Sequence, residues 1–144
     1  MKRVVLIVVA ILVAGLVLAV LVSLPFYAQQ TNPPVKQEPA WDSQQTKDLA
    51  RRACFDCHSN ETVWPIYSRI PVVAILVTHD VTEGRQQLNF SEWTTRQARK
   101  AREAVEKIET GEMPMRIYLP LHPTAQLSAA EKQQLIQGLQ ASLK

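Results

Sequence analysis

The chain has 144 residues, with 16 Lys and Arg against 13 Asp and Glu and a formal net charge of +3, a length that holds one compact domain. Lys2 and Arg3 precede a long apolar run, so the remainder is close to neutral; with no run of like charges and no clustered basic face, a nucleic-acid partner is not expected. Its two cysteines, Cys54 and Cys57, exclude a wider disulfide framework, so whatever the pair does, it does locally.

From Val4 to Leu24 there is no charge, and about 21 residues at 1.5 Å each make a helix of roughly 31 Å, close to the hydrocarbon thickness of a bilayer. The run is longer than the core of a cleavable signal peptide, and Phe26-Tyr27-Ala28 puts a large aromatic where a cleavage site wants a small residue. Residues 1–28 therefore predict an uncleaved signal anchor, with a cleaved signal peptide and a buried core helix as the alternatives. Phe26 and Tyr27 suit the far interface. Lys2 and Arg3 hold the N-terminus in the cytoplasm, which sends the rest of the chain to the periplasmic side of a bacterial inner membrane. Residues 29–41, rich in Gln and Pro with Pro33-Pro34, predict an extended tether.

Residues 42–144 read as the folded domain, all-α, with no convincing alternating strand. Asp42 or Ser43 caps a first helix through Ala53. A second is expected from about Tyr67 to Thr78, with Pro71 opening a helical turn. A third begins at Ser91, placing Trp93, Ala101, Ala104, Val105 and Ile108 on one face, and Gly111 stops it. The last starts at Ser128, which forms a capping box with Glu131 and precedes the stripe Leu135, Ile136, Leu139 and Leu143. Four short helices give a thin core, which a largely apolar cofactor would reinforce.

Cys54-Phe55-Asp56-Cys57-His58 has the C-x-x-C-H spacing of covalent haem attachment. Two thiols add across the porphyrin vinyl groups, and the next residue brings an imidazole beneath the ring as an axial iron ligand. A redox disulfide normally sits in a βαβ context missing here. A zinc site with His58, His79 or His122 lacks a second paired motif.

Beyond this motif the chain resembles a family of small bacterial haem-binding domains, membrane-tethered mono-haem cytochromes, from about Ala53 to Leu135. The resemblance is carried by Cys54-Phe55-Asp56-Cys57-His58-Ser59-Asn60-Glu61-Thr62 and Trp64-Pro65-Ile66-Tyr67-Ser68, then by Asp80-Val81-Thr82-Glu83-Gly84-Arg85 and Leu88-Asn89-Phe90-Ser91-Glu92-Trp93. Met113-Pro114, Tyr118, His122-Pro123 and Leu127-Ser128 complete it. It implies a small cytochrome c-like helical domain around one covalent haem c. Ile66 stands where the family often carries a second tryptophan, so the pocket wall is expected to differ there.

Met113, Met115, His79 and His122 are the candidates for the sixth iron ligand. Met113 leads: it follows the Gly111 stop, Pro114 fixes the backbone behind it, and the resemblance to c-type cytochromes places a thioether ligand at a late Met-Pro pair. His122 otherwise serves a turn, and His79 otherwise closes a helix end. The expected cofactor-binding set is Cys54, Cys57, His58, Trp64, Tyr67, Arg85, Trp93 and Met113, with His58 and Met113 on the iron. Arg85 is a bidentate candidate for a propionate, with a solvated side chain as the alternative. The carbonyl of Pro65 or Pro71 is expected to take the second imidazole proton of His58. With no acid–base machinery in view, the chain reads as an electron carrier for unidentified redox partner proteins, not an enzyme. The alternative is a haem sensor or peroxidase-like protein with an open or labile sixth position.

Overall fold

The computed structural model describes residues 1–142; Leu143, expected on the last apolar stripe, lies outside the described residues. The chain is mostly helical: α1 Lys2–Gln29, α2 Gln44–Ala53, α3 Phe55–His58, α4 Val73–Gln87, α5 Thr95–Glu109 and α6 Ala129–Ser142. Short 3-10 turns cover Ile66–Arg69, Leu119–Leu121 and Pro123–Ala125. Among the described residues there is no strand, and Gln37 and Glu92 form an isolated parallel bridge.

The chain divides into two compact units, one of Met1–Thr31 with Trp64–Asp80, the other of Asn32–Val63 with the chain from Val81 onward. In the first unit α1 is long and apolar enough to cross a membrane. Its Val, Leu and Ile side chains are exposed, Phe26 and Tyr27 are half-buried, and Ser23 is its single buried residue. Its last turns hold the segment from Ser68 to Thr78 through hydrogen bonds.

The second expected helix is corrected here. Residues 66–69 make a 3-10 turn, and α4 begins only at Val73 and runs to Gln87. Pro71 biases Ile70 away from helical backbone, and Val72 then turns through a positive φ of 70°. Past that break the chain has nothing to stop a helix until Gln87. His79, expected to close a helix end, therefore lies inside α4.

In the second unit α6 packs against α2 and α5 around Leu49, Ala50, Phe55, Ala101, Val105, Ile108, Leu135, Ile136 and Leu139. The caps follow from local chemistry: Ser43 accepts from the Thr46 N–H, and Ser128 and Glu131 bond each other's backbone N–H at 2.8 and 3.2 Å. Gly111 ends α5 with φ 75°. The start of that helix is a second correction: Thr94 caps it, not Ser91. The Ser91 hydroxyl accepts from the Asn60 N–H and its own N–H goes to Asn89, while the Trp93 N–H goes to Gln37 O, so neither residue is helical.

The tether is also more than a spacer. Lys36 and Gln37 donate backbone N–H groups to Ser91 O, and Asn60 holds Pro34 O, so this extended stretch is built into the second unit.

Candidate functional site

α2 stops at Ala53, and Cys54 turns the chain into the single helical turn of α3, where Cys57 and His58 both donate backbone N–H groups to Cys54 O. The two intervening residues anchor that turn in different ways. Phe55 is buried and stacks 5.6 Å from Phe90, with Trp41 tilted against both rings. Asp56 accepts the Tyr118 hydroxyl at 2.6 Å and the Val63 N–H at 3.0 Å.

Beyond the turn, Phe90 N–H donates to His58 O, and a buried polar network links Asn60, Asn89 and Ser91. Arg85 belongs to this scaffold. Its half-buried guanidinium donates to Ser59 O, Thr62 Oγ1 and Asn32 Oδ1 at 2.8 to 3.0 Å, and it does not line the pocket.

His58 Nδ1 lies 2.9 Å from Gly84 O and 3.1 Å from Leu88 O. Carbonyls only accept, so Nδ1 carries the proton and Nε2 the lone pair. Burial lowers the pKa of His58 against the opposing effect of these two bonds, which keeps the ring neutral. This corrects the expected acceptor, Pro65 or Pro71. The carbonyls at the end of α4 come close because Gly84 has no side chain: a Cβ there would overlap Cys57 O and stand 3.0 Å from Cys57 C and Cβ.

Cys54 and His58 line one apolar pocket with Ala53, Leu88, Phe90, Ala104, Ile108, Met113, Pro114, Leu127, Leu135 and Leu139; Lys132 is its one charged residue. Its walls bound about 510 Å³ of space, part of it open to solvent. Burial, with the neighbouring Cys57 in second place, pushes the Cys54 thiol up to about 12. Such a thiol stays protonated at neutral pH. Among the described residues no group of three or more His, Cys, Asp or Glu is placed to hold a metal ion, so the zinc alternative finds no ligand set.

Met113 reaches the pocket because the Gly111 turn reverses the chain at the end of α5 and the Met113 N–H closes onto Lys107 O at 3.0 Å. The fold thus joins Cys54, His58 and Met113 on one wall system, across 59 positions of sequence between first and last.

The other expected residues lie elsewhere. Cys57 is half-buried, with its backbone against Gly84. Met115 does not line the pocket, His79 is exposed on α4, and His122 donates Nδ1–H to Tyr118 O while stacking on that ring at 3.7 Å. Trp64 and Tyr67 belong to the first unit and do not line the pocket. Trp93 stands behind it, stacked on Phe90 at 5.9 Å. Ile66, expected to alter the pocket wall, is 89% exposed and lines nothing there.

Sequence reasoning missed Lys132, Leu88 and Phe90. Lys132 occupies the capping-box turn next to Glu131, on a helix expected from its caps alone, and Leu88-Asn89-Phe90 stood in a resemblance block with no role attached. The apolar walls, the imidazole with its lone pair on Nε2 and a thioether in the same lining suit a haem. The haem-binding domain family model matches residues 16–141 of the chain. No curated protein and no solved structure matches it.

Proposed function

The chain belongs to the haem-binding domain family, and from that premise we propose that it is a membrane-anchored mono-haem c-type cytochrome that carries single electrons on the outer side of the cytoplasmic membrane. One observation carries the reading: a neutral His58, its Nδ1 fixed by Gly84 and Leu88, shares an apolar pocket with Cys54 and Met113. The C-x-x-C-H spacing supplies the covalent part, and α1 with Lys2 and Arg3 ahead of it supplies the anchor and its orientation.

When bound, the haem iron supplies a one-electron couple. Cys54 and Cys57 would hold the ring as thioethers, each S–H adding across one vinyl group. His58 offers Nε2, and the two carbonyls on its Nδ1–H strengthen it as a donor. Met113 offers a soft thioether, which raises the potential relative to a second imidazole. Leu88, Phe90, Ile108 and Leu135 would give a bound ring apolar contact and limit the water around it. Arg85 and Trp93 act one layer back, holding the peptide and Phe90 in place.

Covalent attachment predicts that haem stays with the denatured full-length protein through acid–acetone extraction, and that the Cys54→Ala/Cys57→Ala variant releases it. Haem extracted from the wild type would sink the c-type reading. Met113→Ala is expected to abolish the weak far-red band of thioether-ligated ferric haem and to admit cyanide rapidly, while Met115→Ala keeps the wild-type spectrum.

A further inference from the structure

Resting on the anchoring proposed above, we infer that the segment Trp64–Leu76 lies in the membrane interface beside α1 and is a second, lipid-facing element of the anchor. From Trp64 to Thr78 the sequence carries one charged residue, Arg69. Within that stretch Ile66, Ile70, Val72 and Leu76 are 89, 52, 60 and 55% exposed. Four large apolar side chains turned outward in eleven residues are costly in water, and such patches mark a contact surface.

The hydrogen bonds within this unit identify that surface. Val72 N–H donates to Ser23 Oγ at 2.9 Å, Thr78 Oγ1 to Phe26 O at 3.3 Å, Tyr27 OH to Arg69 O at 3.0 Å, and Gln30 Nε2 to Ser68 O at 3.0 Å. Ser23 is fully buried, on a helix otherwise open to its surroundings. Read along the helix axis at 1.5 Å per residue, these partners form a depth scale of roughly 10 Å from Ser23 to Gln30. Val72 lies level with Ser23, inside the apolar run that ends at Leu24. Arg69 and Ser68 are held by the side chains of Tyr27 and Gln30, toward the C-terminal end of α1.

The exposed apolar side chains are thereby continuous with the lipid-facing surface of α1, at the depth where amphipathic segments sit in the headgroup and acyl boundary, roughly 5–10 Å in. The composition agrees. Trp64, Tyr67, Phe26 and Tyr27 are the aromatic types of an interface, and the exposed Arg69 joins an apolar stem to a charge that suits lipid phosphates. The partner is therefore the outer leaflet itself.

The test uses full-length holoprotein in vesicles of phosphatidylethanolamine and phosphatidylglycerol, with no other protein present. Single cysteines introduced as Ile66→Cys, Ile70→Cys and Leu76→Cys, each at an exposed site, carry a nitroxide. Val13→Cys reports the anchor, Arg96→Cys reports solvent, and wild type carried through the same labelling sets the background. Accessibility to oxygen, which partitions into lipid, is compared with accessibility to a water-soluble nickel chelate. Positions 70 and 76 are expected to show an oxygen-to-nickel ratio several-fold above that at 96, with 66 shallower than both. Water-like ratios at 66, 70 and 76 beside a lipid-like ratio at 13 would overturn the inference and leave the anchor standing. A water-like ratio at 13 would overturn the anchor and the inference together. A lipid-like 66 deeper than 70 would contradict the depth order and with it the docking on α1.

Discussion

Replacing Gly84 with alanine puts the link between α4 and the Cys54–His58 turn under direct load. In an ordinary helix interior the change gains about 0.5–1 kcal/mol. At this position the added Cβ overlaps Cys57 O and stands 3.0 Å from Cys57 C and Cβ, where ordinary contact begins at 3.4 Å. The obstacle is largely backbone, so no rotamer change relieves it, and α4 and the turn must separate, most of all at Cys57 O. Overpacking of this kind costs about 1–3 kcal/mol. Set against the helix gain, the net loss is roughly 0–2.5 kcal/mol. The same separation lengthens the bond from His58 Nδ1 to Gly84 O, now 2.9 Å. A weaker acceptor on Nδ1–H makes the ring a poorer donor to ferric iron, so the reduction potential rises. Urea unfolding of the detergent-solubilised holoprotein reads the first effect, and a potentiometric titration reads the second. Gly138→Ala is the control: its Cβ overlaps the Thr46 side chain between α6 and α2, so it lowers the urea midpoint and leaves the potential in place. A Gly84→Ala protein as stable as wild type, with an unchanged potential, would refute the reasoning.

Tyr118→Phe removes the 2.6 Å bond to Asp56 Oδ2; a hydrogen bond to a charged, partly buried acceptor predicts a loss of about 1–2 kcal/mol and faster hydrogen exchange at the Val63 amide, and an unchanged melting temperature would count against it. Lys132→Met removes the one charge lining the pocket, so the ferric state loses a repulsive neighbour and the potential falls, whereas Lys132→Arg holds it; equal potentials in all three proteins would show that the charge does not reach the cofactor. Glu131 is held at about 2 by the Ser128 N–H first and Arg52 next, below its ordinary 4.5. A depressed carboxyl contributes stability that is present above pH 4.5 and lost as pH falls toward 2, so the stability gap between wild type and Glu131→Gln should close across that window, and a constant gap would contradict the assignment.

The parts legible in the sequence were those fixed by neighbours along the chain. Ser43, the Ser128–Glu131 box and the Gly111 stop act through hydrogen bonds or backbone angles a few residues away, and each stands where its residue type predicts. The misplaced boundaries have non-local causes. Ser91 is a good capping residue, but its hydroxyl is claimed by Asn60, 31 positions earlier. The Tyr67–Thr78 expectation failed because Val72 adopts a positive φ while its N–H is held by Ser23, 49 positions away. The acceptor for His58 was sought among prolines that lack N–H groups, whereas any helix brought close enough offers carbonyls at its end. Only Gly84, silent in a pattern reading, permits that approach.

The same distinction explains why the resemblance blocks extend so far beyond the attachment motif. Few of their residues line the pocket. Asn60, Asn89 and Ser91 bond one another in the buried interior, Arg85 ties Ser59 to Thr62, Asp56 ties the turn to Tyr118, and Gly84 and Leu88 hold His58. A single helical turn of four residues has too few bonds of its own to fix an imidazole and two thiols. Its geometry must be imposed from outside by partners that leave few polar groups unsatisfied. The pocket walls face the opposite demand: apolar bulk in roughly the right volume suffices, and Leu, Ile or Phe can exchange there at modest cost. The polar residues that never face the pocket are therefore the more restrictive part of this site, and substitutions among them should disturb ligation more than conservative changes in the wall.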